Sequence, residues 1–200
     1  MLHNSKYRFS FTAASLRLND MISIANHKLE AVEFDYINKL GNGKSSTGIR
    51  MFTELNSRIS RLTVEQLNLL VDGDLEIQKQ IAFLSICKTY DFIRDFTIEV
   101  LREKLLVFDY EISEGDYISF YRRKTELHPE MDNLTEVTQN KVKQVTFKIL
   151  EQSGVIDNIR NKIIQPQLLY DRVIKVIEKD SSEWLKIFFF SDLDIKNNRN

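Results

Sequence analysis

Six glycines and two prolines in 200 residues leave this chain few places to turn sharply. An all-β architecture of many short strands needs such residues at every corner, so their scarcity points to long helices joined by a few loops. With 42% apolar and 28% charged residues the chain has enough apolar material for a core and lies outside the disordered regime. The expected fold class is all-α: an N-terminal helical bundle over residues 1–110 and a C-terminal unit over residues 111–200, winged helix-turn-helix-like with a small β-hairpin.

Apolar spacing and caps place the elements. Thr12 suits an N-cap after Phe9 and Phe11, and Leu16, Ile22, Leu29, Val32, Ile37 and Leu40 then recur at helical spacing, as one helix or two. The run stops at Gly41-Asn42-Gly43-Lys44-Ser45-Ser46. A helix over about 46–62 carries Ile49, Phe52, Leu55 and Ile59 inward, with Arg50, Arg58 and Arg61 off that stripe. Thr63 and Gln66 form a capping box, and Asp72-Gly73 ends the helix it begins. Asp74 caps a helix from Leu75 through Cys87 that is apolar nearly all round, the mark of a central element. Another helix runs to about Leu106.

The segment Leu106–Ser113 alternates and reads as a strand or an extended linker. Ser113 with Asp116 opens the next helix, which ends in Arg122, Arg123 and Lys124 before His128-Pro129-Glu130 breaks it. Thr135 caps a long helix that stops at Gly154. Val155-Ile156 and Ile163-Ile164 flank the polar 157–162 segment like the strands of a hairpin. Pro166 suits the first position of a further helix, a short helix lies near Trp184, and the tail from Lys196 is polar.

Several chemistries lack their residues. The metal candidates His3, His27, His128 and Cys87 are scattered without ligand spacing. Cys87 lies in the apolar run IAFLSIC, the setting of an inert buried thiol, and as a lone cysteine it forms no intramolecular disulfide. The Gly41–Ser46 loop resembles a phosphate-binding loop only superficially, because the earlier glycine is misplaced and no apolar strand precedes it. No nucleophile elbow occurs, and the carboxylate pairs sit where capping explains them. No catalytic residue, metal, cofactor or small-molecule substrate is therefore expected. Neither a signal sequence nor a membrane span is evident, which fits a cytoplasmic protein.

Binding has more support. The net charge is only −1, but residues 141–175 hold seven Lys/Arg against three Asp/Glu, so basic character is local. On the helix after Thr135, Asn140, Lys141, Gln144, Lys148 and Gln152 share a face opposite Val142, Val145, Ile149 and Leu150, with Lys143 at the edge. Arg160, Asn161 and Lys162 decorate the expected hairpin tip, and Arg122 and Arg123 end the preceding helix. Lysine and arginine neutralise phosphates, and asparagine and glutamine can reach base edges. The expected nucleic-acid residues are Arg122, Arg123, Asn140, Lys141, Lys143, Gln144, Lys148, Arg160 and Lys162. Trp184 and Phe188–Phe190 offer a rival reading, an aromatic surface for a protein partner.

The order Phe9-Ser10-Phe11-Thr12, SRISRLTVEQLNLLVDGD, ICKTYDFIRDFTIEVLREKLL, HPE at 128–130, and KVKQVTFKILEQSGV followed by IIQP resembles the BrxA family of bacterial BREX (bacteriophage exclusion) defence systems. These are core and cap patterns rather than a catalytic signature. The resemblance implies an all-helical, non-enzymatic component encoded beside a DNA methyltransferase, an ATPase and a phosphatase-like protein, with a role in distinguishing or blocking phage DNA. It implies double-stranded DNA as a partner, bound with little or no sequence preference, and other BREX proteins besides. RNA is the alternative ligand, because the family has been likened to helical antitermination proteins.

Overall fold

Thr12 does not start a helix. In the computed structural model, which describes residues 6–197, Ser10–Ala13 make one 3₁₀ turn whose Thr12 hydroxyl donates to the Phe9 carbonyl. Helix α1 is Leu18–Leu29. The periodicity expected to continue to Leu40 is broken at Ala31, which has φ +55°, and only the short α2, Tyr36–Lys39, follows. That break uses neither glycine nor proline, so apolar spacing runs across it. The Asp35 carboxylate caps α2 by accepting from the Asn38 amide at 3.1 Å.

The Gly41 loop leads into α3, Ser45–Ile59. A Cβ on Gly48 would lie 2.6 Å from the Tyr36 carbonyl oxygen, so a glycine is what lets α2 and α3 approach this closely. Arg58, expected off the apolar stripe, is fully buried. Its guanidinium donates to the Ala14 and Ser15 carbonyls, each at 2.7 Å, and to the Glu54 carboxylate at 2.9 Å. The Tyr90 hydroxyl also donates to Glu54. The charge is tolerated inside because every direction it faces holds an acceptor.

Helix α4, Val64–Asp72, carries the expected capping box, with Thr63 and Gln66 reciprocally bonded. Asp74 accepts from the Ile77 amide and caps α5, Leu75–Thr89, which is buried from Ile81 through Cys87. As its all-round apolarity requires, α5 is central and packs against α1, α3, α4 and the following helix. That helix begins as α6, Asp91–Phe96, widens into a π-helical turn at Thr97–Arg102 and ends as α7, Glu103–Leu106. Val107 and Phe108 make a turn, with Phe108 at φ +63°, and residues 109–113 run without helix into the next element.

Helix α8 is Glu114–Leu127, with Ser113 and Asp116 forming its capping box. After a 3₁₀ turn at Pro129–Met131, Thr135 caps α9, Glu136–Gln152. Past α9 the expected winged unit is absent: no sheet occurs among the described residues. Two isolated antiparallel bridges, Ile156 to Ile164 and Glu111 to Ile163, stand in place of a hairpin. The flanks are too short to propagate a ladder, and the 157–162 turn is closed by two backbone bonds, Asp157 N–H to Ile163 and Lys162 N–H to Asn158, reinforced by a side chain. The Asp157 carboxylate accepts from the amides of Asn158 and Ile163 at 2.6 and 2.8 Å and from the Asn161 side chain at 3.2 Å.

Pro166 begins no helix either. Gln167 donates from its side chain to the Gly154 and Gln165 carbonyls, keeping this stretch extended until α10, Asp171–Asp180. A 3₁₀ segment, Ser182–Phe188, and α11, Asp192–Asn197, complete the described chain, so Lys196, expected in the tail, is helical. Phe188 and Phe189 are buried, and Trp184 and Phe190 are half-buried. These aromatics form a packed end of the core rather than the surface of the rival reading. One cluster of buried apolar side chains extends from Tyr7 to Ile195. Polar ties also cross the 110/111 boundary: Gln80 donates to the Leu168 carbonyl, Arg102 to that of Phe190, and Lys88 pairs with Asp180 at 2.5 Å.

Candidate nucleic-acid interface

Helix α9 buries Val142, Val145, Thr146, Phe147, Ile149 and Leu150 and turns a polar stripe outward. Val137, Asn140, Lys141, Gln144 and Lys148 are exposed along it at spacings of three and four residues. The N-terminal strap runs beside this helix. Thr12, Val137, Thr138, Asn140, Lys141 and Gln144 line a shallow groove between them, and further along the Leu16 amide donates to Gln152 at 2.9 Å.

Structure divides the nine expected residues according to whether their charge is already used. Lys143 pairs with Glu114 and lies over the Tyr117 ring. Arg123 pairs with Glu99 at 2.9 Å and lines a different groove, one with Glu99, Lys104 and Phe120. One residue's rotation separates it from Arg122, so the two arginines point apart. Lys148 pairs with Glu151 at 2.5 Å. Arg122, Lys141, Arg160 and Lys162 have no carboxylate within ion-pair distance among the described residues. The Lys148–Glu151 pair is a surface i,i+3 contact worth a few tenths of a kcal/mol, so Lys148 can exchange it for a phosphate at little cost.

Arg160 and Lys162 sit on the turn that replaces the expected hairpin. Glu151 on α9 accepts from the Ile159 amide at 3.1 Å, and the Lys162 ammonium lies 5.3 Å from the centre of the Phe147 ring. Both contacts bind the turn to the C-terminal half of α9. The Glu151 carboxyl is held below its ordinary range, chiefly by the hydrogen bond from Lys148 and then by the Ile159 amide. Lys141, Gln144, Lys148, Arg160 and Lys162 thus belong to one helix and the loop moored to it.

Sequence reasoning missed the neighbouring groove between α8 and α9, of about 770 Å³, lined by Tyr117, Ile118, Tyr121, Arg122, Gln139, Asn140 and Lys143, with Glu114, Glu126 and Asp132 among its acids. The signal was present: Tyr117 and Tyr121 are one turn apart on a helix. Helical spacing of aromatics is, however, equally what a core stripe requires.

Among the described residues no group of three or more His, Cys, Asp or Glu is placed to hold a metal; His3 lies outside them. Cys87 is buried and its thiol is pushed well above the ordinary range, mainly by that burial. No helix is long and apolar enough to cross a membrane.

The profile of the BrxA family matches residues 5–181. The BREX protein BrxA of Bacillus cereus (strain H3081.97) is 30% identical over 106 residues, covering 52% of this chain and 53% of that protein, so the match spans about half the relative's length. In three dimensions the chain is similar to the crystal structure of an uncharacterized protein from Magnetospirillum magneticum. The TM-score is 0.78 at 18% identity, over 92% of this chain and 98% of the other.

Proposed function

The chain belongs to the BrxA family, and from that premise we propose that it serves a BREX phage-defence system as a cytoplasmic, non-enzymatic component that binds double-stranded DNA through α9 and the 157–162 turn. The observation that carries this reading is that Lys141 on α9 and Arg160 and Lys162 on the turn moored to it are in no ion pair among the described residues, while Asn140 and Gln144 are exposed on the same helix. Cations already committed to carboxylates have little to offer a phosphate. Free cations set around an exposed helix release counterions when they meet one. Asn140 and Gln144 add base-edge contacts of modest specificity.

A salt titration on a short random-sequence duplex tests this. Affinity should fall linearly on a log–log plot, and each cation removed should lower the slope by about 0.9. Lys141→Glu with Arg160→Glu should abolish binding while the helical circular-dichroism signal stays; unchanged affinity in that variant would remove this surface from consideration. Duplex RNA should compete poorly, since an exposed helix does not enter its deep, narrow major groove. RNA competing as well as DNA would favour the antitermination-like alternative.

A second observation bears on protein partners. Val107 and Phe108 are 71% and 80% exposed, and with Leu106 and Tyr110 they form an apolar ridge. Contact with another BREX protein fits this ridge better than the C-terminal aromatics, which are packed away.

A further inference from the structure

The groove between α8 and α9 carries features that phosphate binding does not use. Tyr117 is 5% exposed, and its hydroxyl, like that of Tyr121, is buried without a hydrogen-bond partner among the described residues. Both hydroxyls are shielded from solvent, so the groove presents ring carbon rather than phenolic oxygen. The half-buried Tyr121 ring, its centroid 6.0 Å from that of Tyr117, which Lys143 covers, lies beneath an opening the size of a ligand pocket.

Polar groups around that floor are of two kinds. Near the C-terminal end of α8 stand the acceptors Glu126 and Asp132, with Gln139, whose side-chain amide nitrogen is already bonded to the Leu134 carbonyl, leaving its oxygen to accept. Cations stand elsewhere on the lining: Lys143, held to Glu114, and the unpaired Arg122. With Lys143 held to Glu114, Arg122 stands apart from Glu126 and Asp132, so the lining offers a positive and a negative end rather than one sign. A nucleotide suits both sets, because its base offers a flat face and amino donors while its phosphate carries the negative charge. Asn140 lines both this groove and the one beside Thr12, so the two open on either side of the same residue of α9.

We propose that the α8–α9 groove accepts a single unstacked nucleobase, with the Tyr121 ring as its floor, Glu126, Asp132 and Gln139 receiving its amino groups, and Arg122 meeting the adjoining phosphate. The inference deepens the DNA-binding reading and rests on it for the source of the base. It gives the protein a means of preferring DNA with a bulged, mismatched or melted position over perfect duplex.

Two assays on the full chain separate the groove from the DNA-binding surface. The first compares a perfect duplex with the same duplex carrying one bulged adenine. The bulged form should bind about tenfold tighter, the worth of one stacked base. Ile118→Trp, at a lining position that is 39% exposed and so tolerates a larger side chain, should erase that preference and leave perfect-duplex affinity unchanged. Equal binding of both duplexes by the unmodified protein, or a preference that survives Ile118→Trp, would overturn the proposal while leaving duplex binding standing. The second assay titrates dAMP and follows tyrosine ring resonances by NMR, which reports on the groove even if no duplex binds. Shifts that Ile118→Trp or Asp132→Ala removes are expected. No shift with dAMP, or shifts with spermidine instead, would overturn the nucleobase assignment.

Discussion

Lys162 has φ +57°, left-handed backbone that glycine or asparagine adopts more readily. Its ammonium rests over Phe147 beside the α9 stripe, so this strain coincides with the surface proposed to bind DNA. Lys162→Gly should leave stability unchanged or raise it by up to about 1 kcal/mol, from relief of strain offset by glycine's greater unfolded entropy. The same change should weaken DNA binding. Urea unfolding paired with duplex titration checks both, and a clear loss of stability would show that the lysine is held there for packing. Arg58 presents the opposite case, a cation with no access to any ligand. Arg58→Ala strands Glu54 as a buried carboxylate and frees the Ala14 and Ser15 carbonyls, so it should cost about 3–5 kcal/mol in urea unfolding. A loss below about 1 kcal/mol would mean that the Tyr90 hydroxyl and rearranged neighbours satisfy Glu54 without the guanidinium.

Among the elements, the turn 157–162 gathers most of its side-chain bonds on one carboxylate, that of Asp157. Slight desolvation alone would raise the Asp157 carboxyl, but the amides of Ile163 and Asn158 and the Asn161 side chain hold it below its ordinary range. Asp157→Ala should open the turn, unseat Arg160 and Lys162 and lower DNA affinity with little change in helical content. Affinity equal to that of the unmodified protein would mean that α9 alone does the binding. This dependence also explains how much could be read in the sequence. Caps at Thr63, Asp74, Ser113 and Thr135 were legible because each is a bond between residues three apart. The 157–162 segment looked like a hairpin because its apolar flanks resemble strands, and nothing local announces that Asp157 will bond across it. The break at Ala31 and the extended run after Pro166 were hidden for a similar reason: positive φ at an alanine and the bonds of Gln167 are set by surroundings. At the site, residue types and helical spacing revealed the α9 stripe. Which cations remain free depends on Glu99 and Glu114, acids distant in sequence from Arg123 and Lys143.

Across the whole molecule, the N-terminal strap is fastened at two acids that belong to different helical layers. The Tyr7 ring stacks on His128 with centroids 3.7 Å apart, its hydroxyl donates to Asp95 at 2.7 Å, and its amide donates to Glu130 at 2.6 Å. Asp95 also accepts from Arg94 and Lys124, tying α6, α8 and the strap together. Burial would raise both carboxyls. At Asp95 the Tyr7 hydroxyl and the charges of Arg94 and Lys124 outweigh it, and at Glu130 the Tyr7 amide and His128 do so, so both end below their ordinary range. A carboxyl lowered in the folded state contributes stability that is fully present above its unfolded pKa and is lost as pH falls through the folded one. The strap should therefore stay fastened at neutral pH and loosen only below about pH 4, where ordinary carboxyls begin to protonate. Hydrogen exchange resolves this, because the Tyr7 amide bonds directly to Glu130: its protection should fall in acid before that of α5, the helix buried at the centre. Since the strap walls the Thr12 groove beside Lys141 and Gln144, the Asp95→Asn variant should show the same early exchange at neutral pH together with a weaker hold on duplex DNA. Early exchange with unchanged DNA affinity would assign the strap to the fold alone and leave α9 and its turn as the whole of the binding surface.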